Sequence, residues 1–155
     1  MLERLTKAKV RFVLVGGLAV NAWGYVRGTR DVDVVPDPDP ENLIRLDVLL
    51  QELGGKVDVD GRLLSSDAIS TFLRTGDRTL VDTELGQVDV LQGLPQVPPY
   101  ATLEGEATDV NMGGLVVRVC SLEHLLEMKR ASARLRDKDD LEALEAIQRE
   151  DSRGS

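Results

Sequence analysis

Asp31-Val32-Asp33 sets two carboxylates two positions apart, with valines between and after them. In an extended strand, residues i and i+2 point to one face, so both acids stand side by side while Val32 and Val34 face the other way. Like charges this close repel, and burying them is costly. A divalent cation removes that cost and prefers oxygen ligands. A solvated strand edge would carry the same pattern with no cation, and the pair alone leaves both readings open. Asp89, in Gln87-Val88-Asp89-Val90-Leu91, repeats the alternation of acid and valine. If its strand lies beside Asp31–Val35, three carboxylates converge. Ions held by such a trio could clamp a triphosphate, activate an attacking oxygen and stabilise a leaving pyrophosphate.

Upstream of the acids, Val13-Leu14-Val15-Gly16-Gly17-Leu18-Ala19-Val20 reads as strand, glycine pair and helix. Glycines there let the backbone pass close to a ligand, and the helix start offers unpaired N–H groups to a phosphate. A tight strand-to-helix turn accounts for the same residues. Arg27 and Arg30 sit just before the acids, where either could pair with Asp31 or hold a phosphate. Lys129 follows Leu122, Leu125 and Leu126 at helical spacing, on an apolar face, so it either snorkels outward or points at an anion. Arg134, Arg136 and Lys138 read as acceptor-side or surface groups. His124 is the one histidine, which excludes a zinc-binding histidine pair, and Cys120 has no partner for an internal disulfide.

The elements that must position these groups follow from pattern and punctuation. Leu2–Lys9 reads as a short helix, Arg11–Val15 as a buried strand, Leu18–Trp23 as a helix and Asp31–Val35 as a second strand ended by a proline-rich turn. Pro40 opens a helix whose stripe is Leu43, Leu46, Leu49, Leu50 and Leu53, stopped by Gly54-Gly55. Ser66–Leu73 suits a short helix. Thr79–Asp82 and Gln87–Leu91 suit two strands, and Gly93–Pro99 a loop. Thr108–Met112 and Leu115–Cys120 form a hairpin across Gly113-Gly114. Ser121 caps a helix to about Arg134 and Asp137 caps a last one to about Arg149. Irregular alternation of strands and helices predicts an α+β fold, a mixed sheet with helices packed on it.

With 155 residues the chain is expected to form one domain over 1–150, with 151–155 as a disordered tail. The composition is that of a globular protein, 42% hydrophobic and 30% charged. No apolar run approaches the ~20 residues of a membrane span, and no secretory signal opens the chain, so a cytoplasmic protein without a membrane partner is expected. The net charge of −8 disfavours long-range attraction to nucleic acid. The charge is uneven: residues 31–60 hold nine acidic side chains, whereas residues 129–138 hold five basic ones.

The stretch Phe12–Val35, FVLVGGLAVNAWGYVRGTRDVDVV, resembles the signature of the polymerase-β-like nucleotidyltransferase superfamily. That signature is a glycine pair or Gly-Ser, a spacer, Asp-x-Asp, and a third acid on a later strand. Gly16-Gly17, Asp31, Asp33 and Asp89 match it. Arg27, Thr29 and Asp31 after a Gly-Tyr pair, with Lys129, Arg134, Lys138 and Asp139 downstream, are similar to a small bacterial branch that includes toxin–antitoxin and abortive-infection enzymes. Many active members have serine where this chain has Gly17, so backbone donors alone remain at that position.

The resemblance implies a nucleotidyltransferase fold and transfer of a nucleoside monophosphate from an NTP to an acceptor hydroxyl. It implies Mg²⁺ or Mn²⁺ on Asp31, Asp33 and Asp89, and nucleotide contacts from Gly16, Gly17, Arg27, Thr29, Arg30 and Lys129. The implied acceptor is tRNA or a protein, with a cognate antitoxin or toxin as partner. Two rival readings are an antibiotic-modifying nucleotidyltransferase, for which an acidic cleft would suit a cationic drug, and a non-catalytic binding protein that keeps the fold.

Overall fold

The computed structural model describes residues 1–29, 31–132 and 134–154. Among these, eight strands form one mixed sheet with seven helices around it. The chain runs through α1 (Leu2–Lys7), β1 (Phe12–Val15), α2 (Gly16–Ala22), β2 (Val32–Pro36) and α3 (Pro40–Glu52). It continues through β3 (Lys56–Val59), β4 (Arg62–Leu64), α4 (Asp67–Thr75), β5 (Thr79–Thr83) and β6 (Gly86–Val90). The last elements are α5 (Tyr100–Glu106), β7 (Thr108–Met112), β8 (Leu115–Val119), α6 (Leu122–Ala131) and α7 (Leu135–Arg153).

The strand order is β4-β3-β5-β6-β2-β1-β8-β7. β1 is buried along its whole length, as its unbroken Phe-Val-Leu-Val run requires. β2 lies between β1 and β6, antiparallel to the first and parallel to the second. It is an interior strand, so the solvated-edge reading of Asp31 and Asp33 falls. Val32 and Val34 lie in the core.

Local chemistry sets the helix starts. Asp39 accepts hydrogen bonds from the N–H groups of Glu41 and Asn42, with Pro40 in the first turn of α3. This is the arrangement in which proline costs nothing, because its missing N–H has no helical partner there. Asn42 is fully buried and ties the helix back: its amide donates to the carbonyls of Arg11 and Asp37 and accepts the N–H of Arg11. Ser121 caps α6 by accepting from the N–H of His124.

Three differences from the sequence expectations have physical causes. β3 and β4 are too short to read as strands alone, and they form because β3 pairs with β5 and β4 with β3. α5 is a two-turn helix following Pro99, too short for a hydrophobic stripe. The last helix starts at Leu135 rather than at an Asp137 cap and runs through Asp151–Arg153, which the sequence suggested as loose tail. Asp137 does not cap because its side chain turns inward to Lys129. Among the described residues no helix is long and apolar enough to cross a membrane.

Candidate functional site

The site forms where β1 ends, α2 begins and the carboxylates of β2 and β6 meet. Gly16 has φ +68°, and a Cβ there would sit 1.9 Å from Oδ2 of Asp33. Glycine is therefore required twice, by the left-handed backbone and by the acid packed against it. The antiparallel register Val15↔Asp33 produces this approach.

Gly17 is bare for a different reason. A Cβ there would meet the Thr29 hydroxyl at 2.9 Å and an Arg27 guanidinium nitrogen at 3.1 Å. The segment after α2 folds back over the helix start, held by Asn21, whose amide donates to the Arg27 carbonyl and accepts the Arg27 N–H. The Thr29 hydroxyl fills the space that a serine side chain at position 17 would need.

Asp33 and Asp89 are register partners on parallel neighbouring strands, which run about 4.8 Å apart. Asp31 lines the same cleft. Burial, then the charge of Asp89, then that of Asp31 push the Asp33 carboxyl up to about 6, against a smaller opposing pull from Arg134 and Lys129. Arg78, immediately before β5, closes a fork on Asp89: its Nε donates to Oδ1 at 3.0 Å and its Nη2 to Oδ2 at 2.7 Å. These groups floor a cleft of about 610 Å³. Leu80, Leu91, Leu94 and Val97 give the cleft apolar lining, and Lys129, Arg134 and Arg136 add positive charge to it.

Behind Lys129 lies a second charged cluster. Lys129 is buried on α6, and its Nζ donates to Asp137 at 2.7 Å and to Asp140 at 2.8 Å. Arg27 closes a fork on Asp140 at 2.6 and 2.7 Å. Ser132 and Arg134 also donate to Asp137. Burial alone would raise the Asp137 carboxyl, but hydrogen bonds from Lys129 and Ser132 and the charges of Lys129 and Arg134 hold it down at about 2. Asp140 is likewise held below the usual carboxylate range: burial opposes, and Arg27 and Lys129 prevail.

The structure thus brings Gly16, Asp31, Asp33, Asp89 and Lys129 to one cleft. Arg27 and Thr29 cover Gly17 instead, and Arg27 spends its fork on Asp140. Arg30 lies outside the described residues. Lys138 and Asp139 are exposed, and the inward pair on α7 is Asp137 and Asp140. Their i, i+3 spacing is a helical signal visible in the sequence once the helix start is known. Arg78 carries no local signal, because it reaches Asp89 only through the β5–β6 pairing. Arg118 pairs with Glu104 and Asp109, and His124, the one histidine, faces Glu106 away from the cleft lining. Cys120 is buried, and that burial pushes its thiol up to about 12, leaving it unreactive at neutral pH.

The cleft is not acidic on balance. Asp31, Asp33, Asp89 and Asp137 are matched there by Arg78, Lys129, Arg134 and Arg136. The chain's excess of acid therefore lies outside the cleft. The donor chemistry at Asp31, Asp33 and Asp89 suits a hard divalent cation: oxygen ligands only, mutually repelling, and partly desolvated. Among the described residues no three such ligands already stand in coordinating geometry, and Arg78 occupies Asp89.

The family profile described as "Nucleotidyl transferase of unknown function (DUF2204)" matches residues 1–154. The chain belongs to this family. It is a nucleotidyltransferase with a mixed α/β nucleotidyltransferase fold. No curated protein matches the sequence. Among solved structures, this nucleotidyltransferase is similar to the lincosamide antibiotic adenylyltransferase LnuA in its lincomycin-bound form. The TM-score is 0.68 at 19% identity, over 94% of this chain and 92% of that one. It is also similar to ANT(2")-Ia in complex with adenylyl-2"-tobramycin, with TM-score 0.58 at 15% identity over 99% and 94% of the two chains. A third similar structure is an antigenic nucleotidyltransferase-like protein from Paracoccidioides brasiliensis, with TM-score 0.60 at 18% identity over 94% and 71%. At these identities the likeness concerns the fold.

Proposed function

We propose that this nucleotidyltransferase moves a nucleoside monophosphate from an NTP to a hydroxyl of a small, drug-like acceptor. The observation that carries the transfer reading is the in-register pair Asp33 and Asp89, set against the Gly16 bend with Asp31 in the same cleft. In this reading Asp31, Asp33 and Asp89 hold Mg²⁺ or Mn²⁺. The cation supplies positive charge to the triphosphate and to the oxygens that form and leave at phosphorus. Gly16 offers backbone to the phosphates, and Lys129 faces them from α6. Asp89 accepts the proton of the acceptor hydroxyl as its oxygen bonds to the α-phosphorus and the bond to the β-phosphate oxygen breaks. Pyrophosphate leaves with the electron pair of that bond.

A small acceptor is favoured by two facts. The cleft has apolar lining, and one such residue, Leu80, is the register partner of Asp89. The fold matches LnuA and ANT(2")-Ia over nearly their whole lengths, so it needs no extra module to reach the size of enzymes that modify antibiotics. Balanced charge in the cleft points to an acceptor with apolar surface and few charges over a polycation. A tRNA or protein acceptor, with Arg134 and Arg136 at the rim to meet phosphates, is the second reading; the net charge of −8 weighs against it. The toxin–antitoxin setting and its partner rest on the sequence resemblance alone.

The test is pyrophosphate release from each NTP with Mg²⁺, using lincosamides, aminoglycosides, total tRNA and a protein lysate as acceptors. The Asp31→Ala plus Asp33→Ala double variant serves as control. Release that depends on a small acceptor and vanishes in the double variant is expected. Release with tRNA or protein only would move the acceptor to the second reading, and no release with any acceptor would overturn the transfer reading.

A further inference from the structure

Arg78 stands where the candidate cation site would have to open. Both oxygens of Asp89 receive its guanidinium, at 3.0 and 2.7 Å, with Nε also 3.3 Å from Oδ2. A divalent cation sits about 2.1–2.5 Å from a carboxylate oxygen, so cation and guanidinium cannot share Asp89 without severe repulsion. The Arg78 side chain is half exposed while Asp89 is buried, so the arginine is the partner free to move. Triphosphate oxygens offer a guanidinium the same planar, two-pronged partner that a carboxylate does. Arg78 and Asp89 line one cleft, so a nucleotide bound there arrives within reach of both.

We propose that Arg78 is a displaceable counter-ion on Asp89, a positioning residue that keeps a bare cation off the site and yields when cation and nucleotide arrive together. The inference rests on the reading of Asp89 as a cation ligand. It couples the two ligands: nucleotide draws Arg78 away and so strengthens cation binding, and by linkage the cation strengthens nucleotide binding equally. Arg78 thereby sets the order of loading without touching the reacting atoms.

The experiment measures Mn²⁺ affinity of the full chain by electron paramagnetic resonance, alone and with a non-hydrolysable NTP analogue. The proteins are wild type, Arg78→Gln, Arg78→Lys, Arg136→Gln, Asp31→Asn, Asp89→Asn and Arg78→Gln plus Asp89→Asn. Thermal melts confirm that each is folded. Arg78→Gln is expected to bind Mn²⁺ alone on the order of tenfold more tightly, the scale of a lost charge-assisted hydrogen-bonded pair, and to lose a similar factor of nucleotide coupling. Arg136→Gln, which removes the same charge from the rim, shifts affinity less than about threefold. Arg78→Lys falls between wild type and Arg78→Gln. In the Asp89→Asn background, Arg78→Gln has no further effect. Unchanged or weaker Mn²⁺ binding in Arg78→Gln, while Asp31→Asn still abolishes it, overturns the inference and leaves the proposed function standing. An equal shift in Arg136→Gln also overturns it. No Mn²⁺ binding in any protein, nucleotide present, overturns both.

Discussion

Asp33 and Asp137 line the same cleft, are both drawn from water, and are pushed in opposite directions. Asp33 has acids as its nearest charged neighbours and is held up at about 6; Asp137 has Lys129, Ser132 and Arg134 and is held down at about 2. The α7 cluster is complete in itself: Lys129 and Arg27 satisfy Asp137 and Asp140, and its effect is to fasten α7 and the segment after α2 to α6. The β2–β6 floor is incomplete, with one arginine for three acids. A self-neutralised cluster serves the fold, and an unbalanced one is poised for an ion that the chain itself does not supply.

The sharpest way to break this contrast is to neutralise one acid of the floor. Asp33→Asn should lower transfer on the order of 10³-fold, somewhat beyond the loss of a single transition-state donor, yet leave the melting temperature unchanged or higher because a buried repulsion disappears. A fall in stability to match the fall in activity would make the floor structural. Lys129→Met is expected to lose stability as well as activity, because the same ammonium faces the phosphates and holds two acids. It strands two buried carboxylates, which typically costs about 3–5 kcal/mol. Arg27 and Arg134 remain as partial partners, so about 3 kcal/mol is expected by urea denaturation. Unchanged stability there would dissolve the distinction between the clusters.

Gly16→Ala tests the junction between them. A left-handed alanine costs about 1–2 kcal/mol, and its methyl must displace the Asp33 carboxylate, so both activity and stability should fall. Wild-type activity in this variant would show that the bend can relax without moving Asp33.

The pH dependence separates the clusters by sign. Asp33 titrates near 6 when folded and near 3.8 when unfolded, so the cation-free protein gains stability as pH falls through about 6, by at most ~3 kcal/mol. Asp137 titrates near 2 when folded, so its contribution is full above about 4 and is lost as pH falls through about 2. Subtracting the Asp33→Asn stability profile from that of wild type should isolate the gain; a flat difference between pH 4 and 7 would contradict it. The smallest effect is expected at Arg134→Ala, below about 1 kcal/mol, since that side chain is 63% exposed.

Much of the floor was legible in the residues. Two acids in a valine strand, a third in another, and a glycine pair before a helix are local patterns, and each behaves as its period and φ requirements demand. The strand edge was the wrong alternative because an edge and an interior strand differ in what pairs beside them, which the residues of one strand do not record. Lys129 was legible as a lysine on an apolar face, and it does turn inward. Its partners were not: the pattern suggested Asp137 as a helix cap, whereas α7 starts at Leu135 and both Asp137 and Asp140 turn inward to Lys129.

What the chain's residues determined alone was chemistry by type and face: oxygen donors with no histidine partner, a bend that only glycine can make, and acids kept to one side of their strands. Those follow from bonds and sterics within a few residues. Tertiary structure decided which charges meet. Parallel pairing of β2 with β6 set Asp89 beside Asp33, antiparallel pairing of β5 with β6 delivered Arg78 to Asp89, and docking of α7 on α6 gave Lys129 its counter-ions. These are contacts between distant parts of the chain. Their energies depend on packing the whole sheet and its helices, so short sequence patterns do not encode them.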